Sequence, residues 1–140
     1  MHPLATAGAT VAAAVWLAAL TVCDLRSQRL PNALTLPGAA IILAVATWAG
    51  VGQQAMAGAL ALAGPYLLLH LRDPRGLGAG DVKLAIGVGG LTGAFGAAVW
   101  LAAALSAPLL TAGWALTRPG RLAPHGPAMC LASAAAILLR

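Results

Sequence analysis

Glutamate does not occur in this chain, and every other charged residue is scarce. Three aspartates, seven arginines and one lysine make up the whole charged set of 140 residues. Charged residues therefore amount to 8%, against about 25% in soluble proteins. Hydrophobic residues reach 61% and the mean hydropathy is +0.89. Together these values exclude an ordinary soluble domain. Cysteine is nearly absent too. Cys23 and Cys130 stand far apart in apolar runs and form no C-x-x-C pair, so neither zinc nor a disulfide framework is indicated. His2, His70 and His125 are scattered, and there is no H-E-x-x-H. No metal-ligand set and no cofactor is expected. Ser27, Ser106 and Ser133 lie outside any G-x-S-x-G context, so no serine nucleophile is suggested. The net charge of +5 and the pI near 10.7 would suit nucleic acid, but the arginines form no patch with interleaved aromatics. They fall in pairs between apolar runs, as topology signals do. The implied surroundings are a lipid bilayer, and no nucleic-acid partner is expected.

At about 20 residues per spanning helix, 140 residues accommodate six spans and no separate soluble domain. The expected fold is all-α: a polytopic membrane protein of about six transmembrane helices forming one membrane-embedded domain over residues 1–140. The first run extends from about Ala7 to Cys23. It lacks the basic start of a signal peptide and ends in Asp24-Leu25-Arg26-Ser27-Gln28-Arg29 rather than at a cleavage site. Pro31-Asn32 breaks the helix. The second run spans about Leu34 to Ala49, with Asn32 placed to cap its start. The third spans about Ala55 to Leu71 and contains Pro65. The stretch from Asp81 to Leu116 is too long for one span, and it divides near Gly93 to Gly96. The fourth helix carries Gly89 and Gly93 at G-x-x-x-G spacing, which lets helices approach closely. The fifth ends near Thr117. The sixth is short, about Gly126 to Leu139, with Pro127 suited to its first turn.

The loop charges check this count. Arg26/Arg29, Arg72/Arg75 and Arg118/Arg121 fall in alternate connections, and the other two connections carry no charge. Six spans with both termini outside put every basic loop in the cytoplasm. Only Arg140 falls on the other side.

That topology, derived without the aspartates, places all three of them on the cytoplasmic face. Asp73 sits in a loop between Arg72 and Arg75 and reads as a solvated charge. Asp24 and Asp81 lie at the membrane border, at the end of the first helix and the start of the fourth. An Asp at the centre of a span costs about 2.5–3.5 kcal/mol, so such residues need a reason. Asp81 is either a solvated helix cap or half of a catalytic or ion-binding pair. Two carboxylates around a common water can share one proton and act as acid and base together. That chemistry hydrolyses a peptide without metal, serine or cysteine. The glycines before Asp81 permit a bend or a close backbone approach.

Asp24-Leu25-Arg26-Ser27-Gln28-Arg29-Leu30-Pro31-Asn32 resembles the D-x-[RK]-x-x-[RK]-[IL]-P-N segment of the type IV prepilin peptidase family. Gly78-Ala79-Gly80-Asp81-Val82-Lys83-Leu84 is similar to that family's G-x-G-D-x-K-L. Order, spacing and the six-helix frame agree over nearly the whole chain. Pro124-His125-Gly126-Pro127 is similar to a turn before the family's last helix, where an aromatic is usual instead of His125. The resemblance implies an aspartic GxGD-type peptidase of the inner membrane, its active site facing the cytoplasm. Its substrate would be a prepilin or pseudopilin with a basic leader and an apolar helix. Asp24 and Asp81 match the catalytic pair, and Gly78, Gly80, Lys83, Arg26 and Asn32 are candidate supporting or substrate-binding residues. Lys83 would either contact substrate or anchor its helix at the headgroups. Larger members also N-methylate the new terminus and carry an insertion with paired cysteines, for which this chain has no counterpart. Its compact form is similar to the peptidases of tight-adherence (Flp-type) pilus systems.

A small proton-coupled transporter or channel using the two aspartates as a relay is the competing reading. Relay sites usually lie near the midplane between inverted repeats, whereas these aspartates share one face and no repeat is visible. A presenilin-like protease would carry a tyrosine before its first aspartate and a Pro-Ala-Leu motif, and neither stands in place here. A non-catalytic membrane scaffold leaves the paired motifs unexplained.

Overall fold

The computed structural model describes residues 3–140, with side chains from Thr6 onward. Met1 and His2 lie outside the described residues. Six α-helices follow one another: α1 (Pro3–Ser27), α2 (Asn32–Trp48), α3 (Gly52–Arg72), α4 (Ala79–Ala94), α5 (Ala97–Thr117) and α6 (His125–Leu138). There is no strand among the described residues. Thr6–Ser27, Gly52–Arg72 and Ala97–Thr117 are long and apolar enough to cross a membrane, while α2 and α6 are shorter apolar helices.

The helix breaks follow from local chemistry. The first helix runs one turn past its expected end near Cys23, because nothing in Asp24 to Ser27 forbids helix. It stops at Gln28, which takes a left-handed conformation with φ 51° and donates its N–H to the Asp24 carbonyl at 2.8 Å. Pro31 cannot continue a helix in either direction except as its opening. Its carbonyl accepts from Leu34 and Thr35 and starts α2. The division of the long fourth run falls at Phe95 and Gly96. Gly96 has φ 104°, a conformation that costs a side chain dearly and glycine little.

The fourth helix is the centre of the bundle. Nine of its sixteen residues are buried, and it packs against α2, α3, α5 and α6. A helix buried all round is unusual for its surroundings, and glycine makes it possible. Apolar surface gives little drive for association inside lipid, so close backbone packing must supply it. Gly58 of α3 faces Gly89 and Gly93 of α4. A Cβ on Gly93 would stand 2.9 Å from the Gly58 Cα, and one on Gly89 would stand 3.1 Å from the Ala59 Cα. The G-x-x-x-G expectation for Gly89 and Gly93 is therefore met, with Gly58 as the partner that completes it. Trp100 of α5 locks the same spot by donating its indole N–H to the Gly58 carbonyl at 3.0 Å.

By contrast, α1 is held at arm's length. Its Cα atoms stay more than 8 Å from those of α4, and it leans on α6 instead. Trp16 fills the gap. Its ring occupies the space a side chain would need at Gly38 of α2 and Gly87 of α4, and its N–H donates to the Leu34 carbonyl at 2.8 Å.

Gly89→Ala is expected to destabilise the bundle by about 1–3 kcal/mol, as overpacking against backbone does. Gly64→Ala, where an added Cβ meets nothing within 4 Å, should be nearly neutral. Thermal unfolding of the two variants in detergent, side by side, measures the difference.

Candidate active site

Asp81 occupies the third position of α4, counting from its first residue Ala79. It closes the start of its own helix. Its N–H donates to the Gly78 carbonyl at 3.2 Å, and its carboxylate accepts the Gly78 N–H in return. That is one half of a capping box, the carboxylate reaching back to the N-cap amide, while the N-cap glycine has no side chain to supply the other half. The helix dipole, equivalent to roughly half a positive charge at this end, favours a carboxylate there. Asp81 is half-buried, so it is neither free in solvent nor sealed away.

Asp24 lies in the last turn of α1 and is only 7% exposed. A helix C-terminus disfavours a carboxylate, yet Asp24 is not left to it. The first turn of α6 presents its N-terminus to this residue, and Gly126 donates its N–H to the Asp24 carboxylate. The geometry of α6 explains why that donor is available. The N-cap residue Pro124 makes no side-chain cap. Pro127, at the third position, has no N–H at all. The Gly126 N–H is one of the orphan donors of a helix start, and Asp24 satisfies it from another helix. A Cβ at position 126 would stand 2.6 Å from the Asp24 Oδ2, so a side chain there would have to push that carboxylate aside.

The two aspartates line one polar cleft of about 320 Å³ and are near enough for the charge of one to act on the other. The α1–α2 loop forms one wall through Gln28, Arg29 and Leu30, and the start of α4 forms the other through Gly78, Ala79 and Gly80. Gly80 allows the walls to meet, since its missing side chain leaves room for Leu30, whose Cβ would lie 3.2 Å from a Cβ at position 80. Asn32 and Lys83 complete the lining. The Lys83 ammonium donates to the Asn32 side-chain oxygen at 2.7 Å and so ties the start of α2 to α4 above the cleft. No group of three or more metal-ligating side chains occurs among the described residues.

Three of the expected supporting residues stand differently from the sequence reading. Asn32 does not cap α2: the N-cap is Pro31, without a side-chain cap, and the Asn32 side chain is turned to Lys83. Arg26 is exposed and not part of the cleft wall; Arg29, one turn on, takes that place. Gly78 has an ordinary extended backbone with φ −70°, and a Cβ there would lie 3.9 Å from the Asp81 Oδ2. Its contribution is the amide rather than the missing side chain. Asp73 stays exposed outside the cleft and accepts the Arg75 N–H at 3.2 Å.

Sequence reasoning missed Gly126. It also left His125 without a role, although His125 bonds to both Tyr66 and Thr111. The signal was the Pro-His-Gly-Pro turn, whose two prolines frame a helix start with two orphan amides, those of His125 and Gly126. What those amides face is a matter of which helix lies opposite.

Among known protein families, the type IV leader peptidase family matches residues 11–116. Both aspartates and their flanking motifs fall inside that span, whereas Gly126 and His125 fall outside it. No curated protein and no solved structure matches the chain.

Gly126→Ala is expected to push the Asp24 carboxylate off its amide partner and to lower stability by about 1–3 kcal/mol. Isotope-edited infrared spectra should show the Asp24 carboxyl band displaced, with Gly113→Ala, which adds its Cβ in open space, as the control. An unmoved band in Gly126→Ala would mean that Asp24 does not depend on this amide.

Proposed function

The chain belongs to the type IV leader peptidase family, and from that premise we propose that it is an aspartic endopeptidase whose catalytic pair is Asp24 and Asp81. One observation carries the reading: two carboxylates from distant parts of the chain line one polar cleft, each accepting a backbone N–H at the start of a helix. In this mechanism a water sits between them. The ionised carboxylate takes a proton from the water, and the new hydroxide bonds to the carbonyl carbon of the scissile peptide. The protonated carboxyl gives its proton to the carbonyl oxygen. Collapse of the tetrahedral adduct breaks the C–N bond: the amine nitrogen leaves with the proton held by the first carboxylate, and a hydroxyl of the adduct returns its proton to the second. Fixed N–H donors keep both groups aimed without reorganisation during the reaction.

The substrate is a type IV prepilin or pseudopilin, cut behind its basic leader at the cytoplasmic face of the inner membrane. It serves a pilus or protein-secretion system. The cleft-lining Arg29, Asn32, Gly78, Gly80 and Lys83 hold the walls or meet the substrate. All six helices span the membrane as one domain over residues 1–140, both termini outside, which leaves the paired arginines of three loops in the cytoplasm. Peptidase activity stands without methyl transfer in this reading. No connection between helices exceeds the seven residues Arg118–Pro124, so the chain between α1 and α6 has no room for a paired-cysteine insertion. A proton relay would need carboxylates leading across the bundle, and this pair shares one end of it.

Co-expression with a candidate prepilin from the same genome tests the assignment. Asp24→Asn and Asp81→Asn are expected to insert normally and to lose at least about 10²-fold in cleavage, the low end of what general acid–base catalysis supplies. Asp73→Asn should change the rate far less. Cleavage that survives in both Asn variants would refute the pair.

A further inference from the structure

One polar chain in the bundle has no part in the mechanism above. Tyr66 of α3, His125 of α6 and Thr111 of α5 meet beside the cleft, far apart in sequence and each on its own helix. His125 bonds through Nε2 to the Tyr66 hydroxyl and through Nδ1 to the Thr111 Oγ1 at 2.6 Å. The Thr111 hydroxyl has one hydrogen and two acceptors in reach, the Ala107 carbonyl at 3.1 Å and the His125 ring at 2.6 Å. Assigned to the carbonyl four residues back, the bond a helical threonine commonly makes, that hydrogen leaves Thr111 to accept from Nδ1–H, and Nε2 then accepts the proton of Tyr66. Every polar atom of the chain is thereby used, as a buried polar network requires.

Two members of this chain, Tyr66 and His125, bear on the two carboxylates by different routes. Tyr66 is buried at 9% exposure on the helix that packs backbone-to-backbone against α4, and it lies within electrostatic reach of Asp81. His125 directly precedes Gly126, whose N–H holds Asp24. Pro124 gives the first turn of α6 no side-chain cap. We propose that Tyr66, His125 and Thr111 form a hydrogen-bonded strut that positions the Gly126 amide, and through it Asp24, against Asp81. The three are positioning residues: the strut carries the rigid α3–α4 frame across to α6 and sets the separation of the two carboxylates. This role rests on Asp24 and Asp81 being the catalytic pair.

Two near-isosteric variants, Tyr66→Phe and Thr111→Val, each remove one bond of the strut and keep the volume. Each is expected to lower kcat for leader cleavage by about 10–10²-fold, the scale on which a displaced catalytic group costs rate, with KM within about twofold. The double variant should lose less than the product of the two, because both cut one chain. His125→Gln, which retains a donor and an acceptor, should recover part of what His125→Ala loses. Two spectroscopic readouts are independent of cleavage. Ring ¹⁵N shifts should report the Nδ1–H tautomer of His125 in the unaltered protein. The isotope-edited Asp24 carboxyl band should move in both Tyr66→Phe and Thr111→Val. An Nε2–H tautomer, or an Asp24 band unchanged in both variants, overturns the strut. So does an unchanged kcat in both while the unaltered protein cleaves. If the unaltered protein cleaves no leader, the peptidase assignment fails, and the Asp24 band still decides whether the strut exists.

Discussion

Backbone-to-backbone contact between α3 and α4 is the constraint on which the remaining structure rests. Inside a bilayer an apolar side chain gains little by leaving lipid for protein, so helices associate where their surfaces let many atoms approach. Gly58, Gly89 and Gly93 provide that approach, and Trp100 bonds across it. With α4 seated this closely, its first turn, and with it Asp81, has a fixed place relative to α3. The other helices are arranged about this pair. The first helix, kept at a distance from α4 by the indole of Trp16, joins the assembly mainly along α6.

That arrangement answers the cost of placing two carboxylates at the edge of an apolar bundle. A buried carboxylate needs compensating donors, and positive side chains are few in this chain. Helix N-termini supply them instead. Asp81 bonds to the N-cap amide of its own helix. Asp24 borrows the second amide of α6, at the one position whose side chain is a hydrogen. The two residues thus meet similar partial charges from unrelated segments, and the cleft between them stays polar while the bundle around it is not.

Much of this was legible in the order of residues. Six helices, the break at Gly96, the close approach of Gly89 and Gly93, and the position of Asp24 and Asp81 at helix ends all follow from patterns a few residues long. Turn residues, apolar runs and glycine spacing act locally, and local rules read them. The misreadings were of another kind. Asn32 looks like a cap because Asn before an apolar run usually is one, but Lys83, 51 residues away, takes its side-chain oxygen. Arg26 and Arg29 are equivalent on paper. The left-handed turn at Gln28 separates them, leaving one in solvent and turning the other into the cleft wall.

Apolar runs, with the turn residues and paired arginines between them, dictated the number of helices, since an apolar run in a bilayer has no other way to satisfy its backbone. The motifs around Asp24 and Asp81 were equally plain in the bare chain. Which amide faces Asp24, and which ring bears on that amide, was decided only when α6 packed against α1, α5 and the neighbourhood of α3. Hydrogen bonds between helices depend on the rotation and depth of each helix in the bundle. Those are set by the sum of all side-chain contacts, and no stretch of sequence near Gly126 or His125 contains them.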